Sequence, residues 1–519
     1  MNNNKVKYHT RLIPRSHLNL NSQTAHTVIK NSLCDTAEPP VATVLGEYGI
    51  DIVETRLVWW ELEKEKGCFD FSRLEDEIKK IKAANMKVGL FPWFQHPPKW
   101  VLEDESYTKL KCLNHGTQST IVSLWDEKLL KEYDRLYKVV AEKLSGQLDF
   151  LYIGVYGDFG ELFFPNGVEH YLFSPPGNHG CLWCGDRKAR ESFATFLREK
   201  YSTVEKLNKA WKTKGIDFCD AMHIDESDSF VKKHDFAVWY TESLMDFADK
   251  VCAIARKYFP DIPAGLPIGH MYEPVNIGQI KSKAAKLAAK YNLTARWTGW
   301  ANLGEFEMSN ICARRIASPA KFYGAEFGVE AALFLSKEVA IHAMFEAISS
   351  SAQLIHNDPG NIVRGMETYK LFKDIRETKP YISKTAVFYP LEGEMCKVVN
   401  IQDYFKKIAP LRRICDYEIV DSYMISDGFL DGIDTLIFDE NTPILSEMER
   451  IISDYVKNKG LKLLCLGSSM PYVADEDEKR TLGCEIFNEE IPQKDICYTT
   501  QFEDFSMVFD LNEAKINKI

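Results

Sequence analysis

Nowhere in the 519 residues does an apolar run approach the ~18 consecutive side chains of a membrane-spanning helix. A bilayer-spanning class is therefore set aside. The opening residues, Met1-Asn2-Asn3-Asn4-Lys5, lead into polar sequence, so no signal peptide is expected. Positive charge is also in short supply. Sixty-four Lys and Arg face 75 Asp and Glu, for a net charge of −11. Nucleic acid and anionic membrane surfaces call for a concentrated cationic patch, and both are excluded as partners. No Gly-x-Gly-x-x-Gly follows the first predicted strand, within 50–65, which argues against a dinucleotide-binding sheet. The thirteen cysteines are odd in number, scattered, and accompanied by no secretion signal. They read as reduced thiols of a cytoplasmic protein rather than a disulfide framework.

What is present is the composition of an ordinary globular protein, 45% hydrophobic and 27% charged. The length exceeds the roughly 250–300 residues at which single cores stop growing, so at least two domains are expected. From about residue 48 to 357, short β-rich runs alternate with amphipathic segments, the pattern of parallel βα units. The predicted strands are 51–59, 86–93, 119–124, 149–156, 264–269, 293–297, 321–326 and 353–356. Helical spacing is clear at 71–84, with Leu74, Ile78 and Ile81 on one face, and at 129–144. Eight strands over this length predict a (β/α)8 TIM barrel across 1–380, with an insertion at about 162–235 after the fourth strand. A second α/β unit follows over 381–519. Its predicted strands are 385–390, 417–420, 435–438 and 461–466, and its helices 401–415 and 445–459. It carries no Gly-rich loop or nucleophile elbow, so a structural or subunit-contact role is expected.

Barrel enzymes hold their reacting groups at the C-terminal ends of the strands. The fourth strand breaks there into Gly157-Asp158-Phe159-Gly160-Glu161-Leu162-Phe163-Phe164-Pro165. A carboxyl among three phenylalanines would be partly desolvated and held protonated, as a general acid must be, so Glu161 is the expected acid/base. The seventh strand closes on Ala325-Glu326-Phe327-Gly328. Glycoside hydrolysis uses two carboxyls facing one another across the sugar, which makes Glu326 the expected nucleophile. Glu330 is held in reserve, should the strand end four residues later. Asp158 is either a hydrogen-bonding partner or a turn residue. Sugar rings stack on aromatic faces, so Trp93, Trp297 and Trp300, at or just beyond strand ends, are read as substrate contacts or as core packing. His96, Asn302, His356 and Asn357 are candidates for binding hydroxyls. In the insertion, His179, Cys181 and Cys184, with Cys112, could supply a structural zinc with tetrahedral S and N ligands. The alternative is a pair of buried thiols beneath the loop, with Trp183 and Asp186 facing the cleft. No cofactor is expected in the chemistry itself.

These stretches resemble a known family. Trp59-Trp60-Glu61-Leu62-Glu63, followed by Gly67-Cys68-Phe69-Asp70-Phe71, looks like the first barrel segment of family 42 glycoside hydrolases, the β-galactosidases of clan A. Pro97-Pro98-Lys99-Trp100 and Leu207-Asn208-Lys209-Ala210-Trp211 are similar to two further motifs of that family. The resemblance implies a zinc cluster before the second of these. It also implies a C-terminal flavodoxin-like or glutamine amidotransferase-like domain used for trimerisation. The pair Gly160-Glu161 departs from the Asn-Glu of clan A. Gly-Glu-Leu-Phe-Phe-Pro instead resembles the Gly-Glu-Leu-x-Tyr-Pro of family 14 β-amylases, which invert configuration on α-glucans. The expected function is a retaining exo-β-glycosidase, β-galactosidase-like. The alternatives are an inverting α-glucan hydrolase of the β-amylase type and an inactive carbohydrate-binding scaffold.

Overall fold

The computed structural model describes residues 11–14, 52–83, 85–157, 159–165, 182–269, 278–299, 306–331, 347, 349–357, 382–477 and 480–487. Eight strands form one sheet: β1 (Arg11–Pro14), β2 (Ile52–Val58), β3 (Lys87–Trp93), β4 (Phe150–Tyr152), β5 (Ala264–Ile268), β6 (Thr294–Gly299), β7 (Glu326–Ala331) and β8 (Ala352–Asn357). Their order is β1-β8-β7-β6-β5-β4-β3-β2, and every pairing is parallel. Because β1 also packs beside β2, the sheet curls into a barrel.

Helices wrap the strands. They are α1 (Ser72–Ala83), α2 (Glu127–Leu144), α3 (Arg187–Tyr201), α4 (Val204–Trp211), α5 (Phe230–Tyr258), α6 (Lys281–Lys290) and α7 (Phe306–Tyr323). Helix α2 shows why they form where they do. Asp126 caps it by accepting the Lys128 N–H, and Leu129, Tyr133, Leu136, Tyr137, Val140 and Leu144 recur at three- and four-residue spacing on its buried face. These side chains belong to the large core between helices and strands. A separate apolar cluster, Ile52, Val58, Phe91, Trp93, Phe150, Tyr152 and Leu354, fills the barrel interior. The two clusters follow from the period of two along each strand, which sends alternate side chains inward and outward.

Two expectations are corrected. The predicted third strand, 119–124, is one arm of an antiparallel hairpin between Lys109–Lys111 and Gln118–Val122, outside the barrel sheet. Its place in the count of eight is taken by Arg11–Pro14, which the sequence reading did not identify. The predicted seventh strand, 321–326, is shifted. Helix α7 continues through Tyr323 and stops at Gly324, whose positive φ of 81° and N–H bond back to the Ala320 carbonyl form a helix terminus. The strand begins only at Glu326.

The C-terminal unit has five parallel strands: β9 (Thr385–Phe388), β10 (Glu418–Val420), β11 (Thr435–Asp439), β12 (Lys462–Leu466) and β13 (Glu485–Phe487). Their order is β10-β9-β11-β12-β13. Helices α8 (Ile401–Ile408) and α9 (Ser446–Lys459) lie among them in sequence. Strand β13 was not anticipated. The unit is joined to the barrel through a continuous core and a buried ionic knot. Glu418 on β10, fully buried, receives the Lys321 ammonium at 2.5 Å and the Ser318 hydroxyl from α7, with the Arg314 guanidinium 3.7 Å away.

Candidate active site

Several inward side chains of the barrel strands are polar or ionisable. Glu54 from β2, Arg296 and Thr298 from β6, Glu330 from β7 and His356 from β8 are all buried. They share the barrel interior with Tyr152 from β4, on whose ring His356 stacks at 5.2 Å and over which the Arg296 guanidinium lies at 5.1 Å. Glu161 enters from the turn after β4. That turn is held by Val155 N–H to the Gly160 carbonyl (2.7 Å), Gly157 N–H to the Glu161 carbonyl (2.8 Å) and Leu162 N–H to the Pro267 carbonyl (2.8 Å). Gly160 sits at φ 75°, and a β-carbon there would lie 2.8 Å from Trp93 Cδ1, so the turn requires glycine twice over. Gly269 opens the other side, where a β-carbon would meet the Phe163 ring at 2.5 Å and Glu161 Oε2 at 3.3 Å.

Glu161 is 2% exposed, and its Oε1 accepts from Arg296 Nη2 at 3.0 Å and from Thr298 Oγ1 at 2.7 Å. Glu330, also 2% exposed, accepts from Arg296 Nη1 and, at 3.3 Å, from the same Thr298 hydroxyl. With Thr298 Oγ1 touching both, Glu161 Oε1 and Glu330 Oε2 are at most about 6.0 Å apart. One guanidinium and one hydroxyl thus hold two carboxylates face to face at the barrel mouth. His356 completes the group, with Nε2 at 3.1 Å from Glu54 Oε2 and Nδ1 at 2.9 Å from Arg296 Nη1.

The expected site residues separate cleanly. Glu161, Glu330 and His356 come together as described. Trp93 joins them, packed edge-on against Phe91, Phe159 and His96 beside the Gly160 turn. Glu326, expected as nucleophile, is corrected. It is exposed, occupies the first position of β7 and accepts from Thr294 Oγ1 at 2.8 Å, at the opposite end of the barrel from Glu161. Four residues at ~3.3 Å each separate it from Glu330 along the strand, or about 13 Å. Trp297 is corrected too. It alternates with the inward Arg296 and Thr298 and lies in the outer core. Trp183 packs in that same core, with its backbone N–H donated to the Tyr240 hydroxyl. Asp186 is the N-cap of α3, accepting from Ala189 N–H at 3.0 Å and from Ser123 Oγ at 3.2 Å, and burial raises its carboxyl above the usual range. Neither faces the cleft. Asn357 ends β8. Asp158, Trp300, Asn302, His179 and Cys181 lie outside the described residues.

Of the expected zinc ligands, Cys112 and Cys184 are buried and lie on neighbouring segments, joined by Leu113 N–H to the Leu182 carbonyl and Gly185 N–H to the Lys111 carbonyl. Cys112 Sγ accepts the His115 N–H at 3.3 Å and is 3.5 Å from His115 Nδ1. Among the described residues no three His, Cys, Asp or Glu side chains group closely enough to hold a metal. Sequence reasoning missed Glu54, Arg296 and Thr298. Their signal was available, because ionisable residues at alternating positions of β2 and β6 cannot all face an apolar core.

Comparison with known proteins places the chain among glycoside hydrolases. The model of "Glycosyl hydrolase family 14" matches residues 44–305. A thermophilic β-amylase from Thermoanaerobacterium thermosulfurigenes is 25% identical over 297 residues, which is 51% of this chain and 51% of the relative. A β-galactosidase from Haloferax lucentense is 23% identical over 171 residues, 33% of this chain and 24% of the relative. The chain thus spans about half the length, or less, of these curated relatives. Among solved structures, a β-galactosidase from Bacillus circulans sp. alkalophilus superposes with a TM-score of 0.62 at 13% identity, over 89% of this chain and 71% of that one. That likeness is one of fold and extends beyond the barrel. With the match running from ahead of β2 to beyond β6 and taking in the Glu161 turn, the chain belongs to glycosyl hydrolase family 14.

Proposed function

We propose that the chain is a retaining exo-β-glycosidase that works through Glu161 and Glu330. The carrying observation is the separation of these two carboxylates. Retaining glycosidases keep theirs about 5–5.5 Å apart, whereas inverting enzymes leave about 6.5–9.5 Å to admit a water. An upper bound of about 6.0 Å falls below the inverting range. Glu330 then attacks the anomeric carbon. Glu161, held by Arg296 and Thr298, protonates the leaving oxygen and afterwards activates the water that releases the sugar.

The test is a screen of p-nitrophenyl β-D-glycosides, beginning with the galactoside, with soluble starch alongside, followed by NMR of the first anomer released. Hydrolysis of an aryl β-glycoside with retention is expected. Family 14 membership favours a second reading, inversion at an α-glucan, and release of the opposite anomer from starch would establish it.

The same reading carries three further proposals. A structural zinc would be held by Cys112 and Cys184 with His179 and Cys181; metal analysis of the purified protein tests it. The C-terminal unit, whose strand order is that of flavodoxin-like folds, would serve trimerisation, and light scattering reads the oligomer. A cytoplasmic location is proposed from the thiol content; no helix among the described residues is long and apolar enough to cross a membrane.

A further inference from the structure

We infer that Glu54, His356 and Arg296 form a directional chain of polar contacts that positions Glu161 and Glu330. The inference rests on the proposed use of those two carboxylates. Its argument begins with arginine, whose guanidinium is always charged and carries only donors. Arg296 Nη1 stands 2.9 Å from His356 Nδ1, so that ring nitrogen accepts. The imidazole is then neutral, and its proton sits on Nε2, the nitrogen that faces Glu54 Oε2 at 3.1 Å. Every contact in the chain has one direction. Glu54 fixes the tautomer of His356, His356 fixes Nη1 of Arg296, and Arg296 spans Glu330 through Nη1 and Glu161 through Nη2.

Tyr152 supports the middle of the chain, with its ring under both the imidazole and the guanidinium. Among the described residues, the charged and titratable groups facing His356 include Glu54 from β2, Tyr152 from β4, Arg296 from β6 and Glu330 from β7, the last at 3.8 Å from Nδ1. A proton added at Nδ1 would set N–H against N–H and push the guanidinium off its partner. His356 thereby imposes an acid limit on the geometry of the pair. These are positioning residues: they act on the reaction through Arg296.

The test has two arms on the intact protein. In the first, NMR of ¹⁵N-histidine-labelled protein at pH 7, with His356 assigned by its loss in a variant, should show the Nε2–H tautomer. An Nδ1–H tautomer or an imidazolium would overturn the chain whatever the enzyme does. The second arm uses p-nitrophenyl β-D-galactoside. His356→Ala should lower kcat about 10- to 100-fold with KM little changed, the range usual for outer partners that orient a reacting group. His356→Asn, whose Oδ1 can accept where Nδ1 did, should recover most of kcat and lose the acid limb of the pH profile. Equal loss in the two variants, or wild-type kcat and pH profile in His356→Ala, would overturn the positioning role. Loss of turnover in Glu161→Gln and Glu330→Gln tests the underlying reading separately. If those variants stay active, that reading fails while the tautomer result still stands or falls by itself.

Discussion

Glu326 and Glu330 lie four residues apart on one strand, and only one of them reaches the buried cluster. Because strand side chains repeat with a period of two, both belong to the same face, and position along the barrel axis decides between them. Glu330→Ala should therefore reduce turnover of the best aryl glycoside by about three orders of magnitude or more, while Glu326→Ala stays near wild type. Stability should also change little in the second variant, since an exposed side chain away from special features is usually within about 0.5 kcal/mol of neutral. Steady-state kinetics and thermal melts on the two variants decide it. Glu161 was legible because glycines and aromatics mark a strand end and a close backbone approach. The proposed nucleophile position was not, because its assignment depends on where β7 starts, and a motif does not carry that register.

At the scale of elements, the error at β7 has a physical source. Lys321-Phe322-Tyr323 has strand-like composition, yet it is the last turn of α7, held in helical form by packing against the C-terminal unit and by the stop at Gly324. Tertiary contact overrode local preference. A comparable override turned 119–124 into a hairpin arm, and β1, only four residues long, offered too little pattern to be read. Asp186 gives an element-scale prediction. As the N-cap of α3 it satisfies the Ala189 N–H, so Asp186→Ala should lower unfolding free energy by about 1–2 kcal/mol. Denaturant titration reads that loss, and KM for the aryl glycoside should be unchanged. An increased KM without loss of stability would return Asp186 to the cleft.

Across the whole molecule, the joint between the two units concentrates buried charge. Glu392 follows β9, its Oε1 accepts from the Ser422 hydroxyl, and burial pushes its carboxyl up to about 7. A carboxyl whose pKa is higher folded than unfolded stabilises fully below its unfolded value of 4.5, and that contribution is lost as pH rises through about 7. Glu392→Gln should thus match wild type near pH 4.5 and become the more stable protein above pH 7, by on the order of 3 kcal/mol. Melting curves across that range measure the crossover.

Glu418 has a larger consequence. Lysine, arginine and serine side chains from one helix converge on it from the barrel side, and the same helix leads through Gly324 into the strand that carries Glu330. Cutting the chain near residue 380 would strand two cations without their counter-charge and uncover the apolar seam around them, a loss of several kcal/mol by the usual cost of breaking a buried pair. The barrel expressed by itself should collect in the insoluble fraction. The smaller unit is thus expected to act as a structural buttress for the strand that carries Glu330.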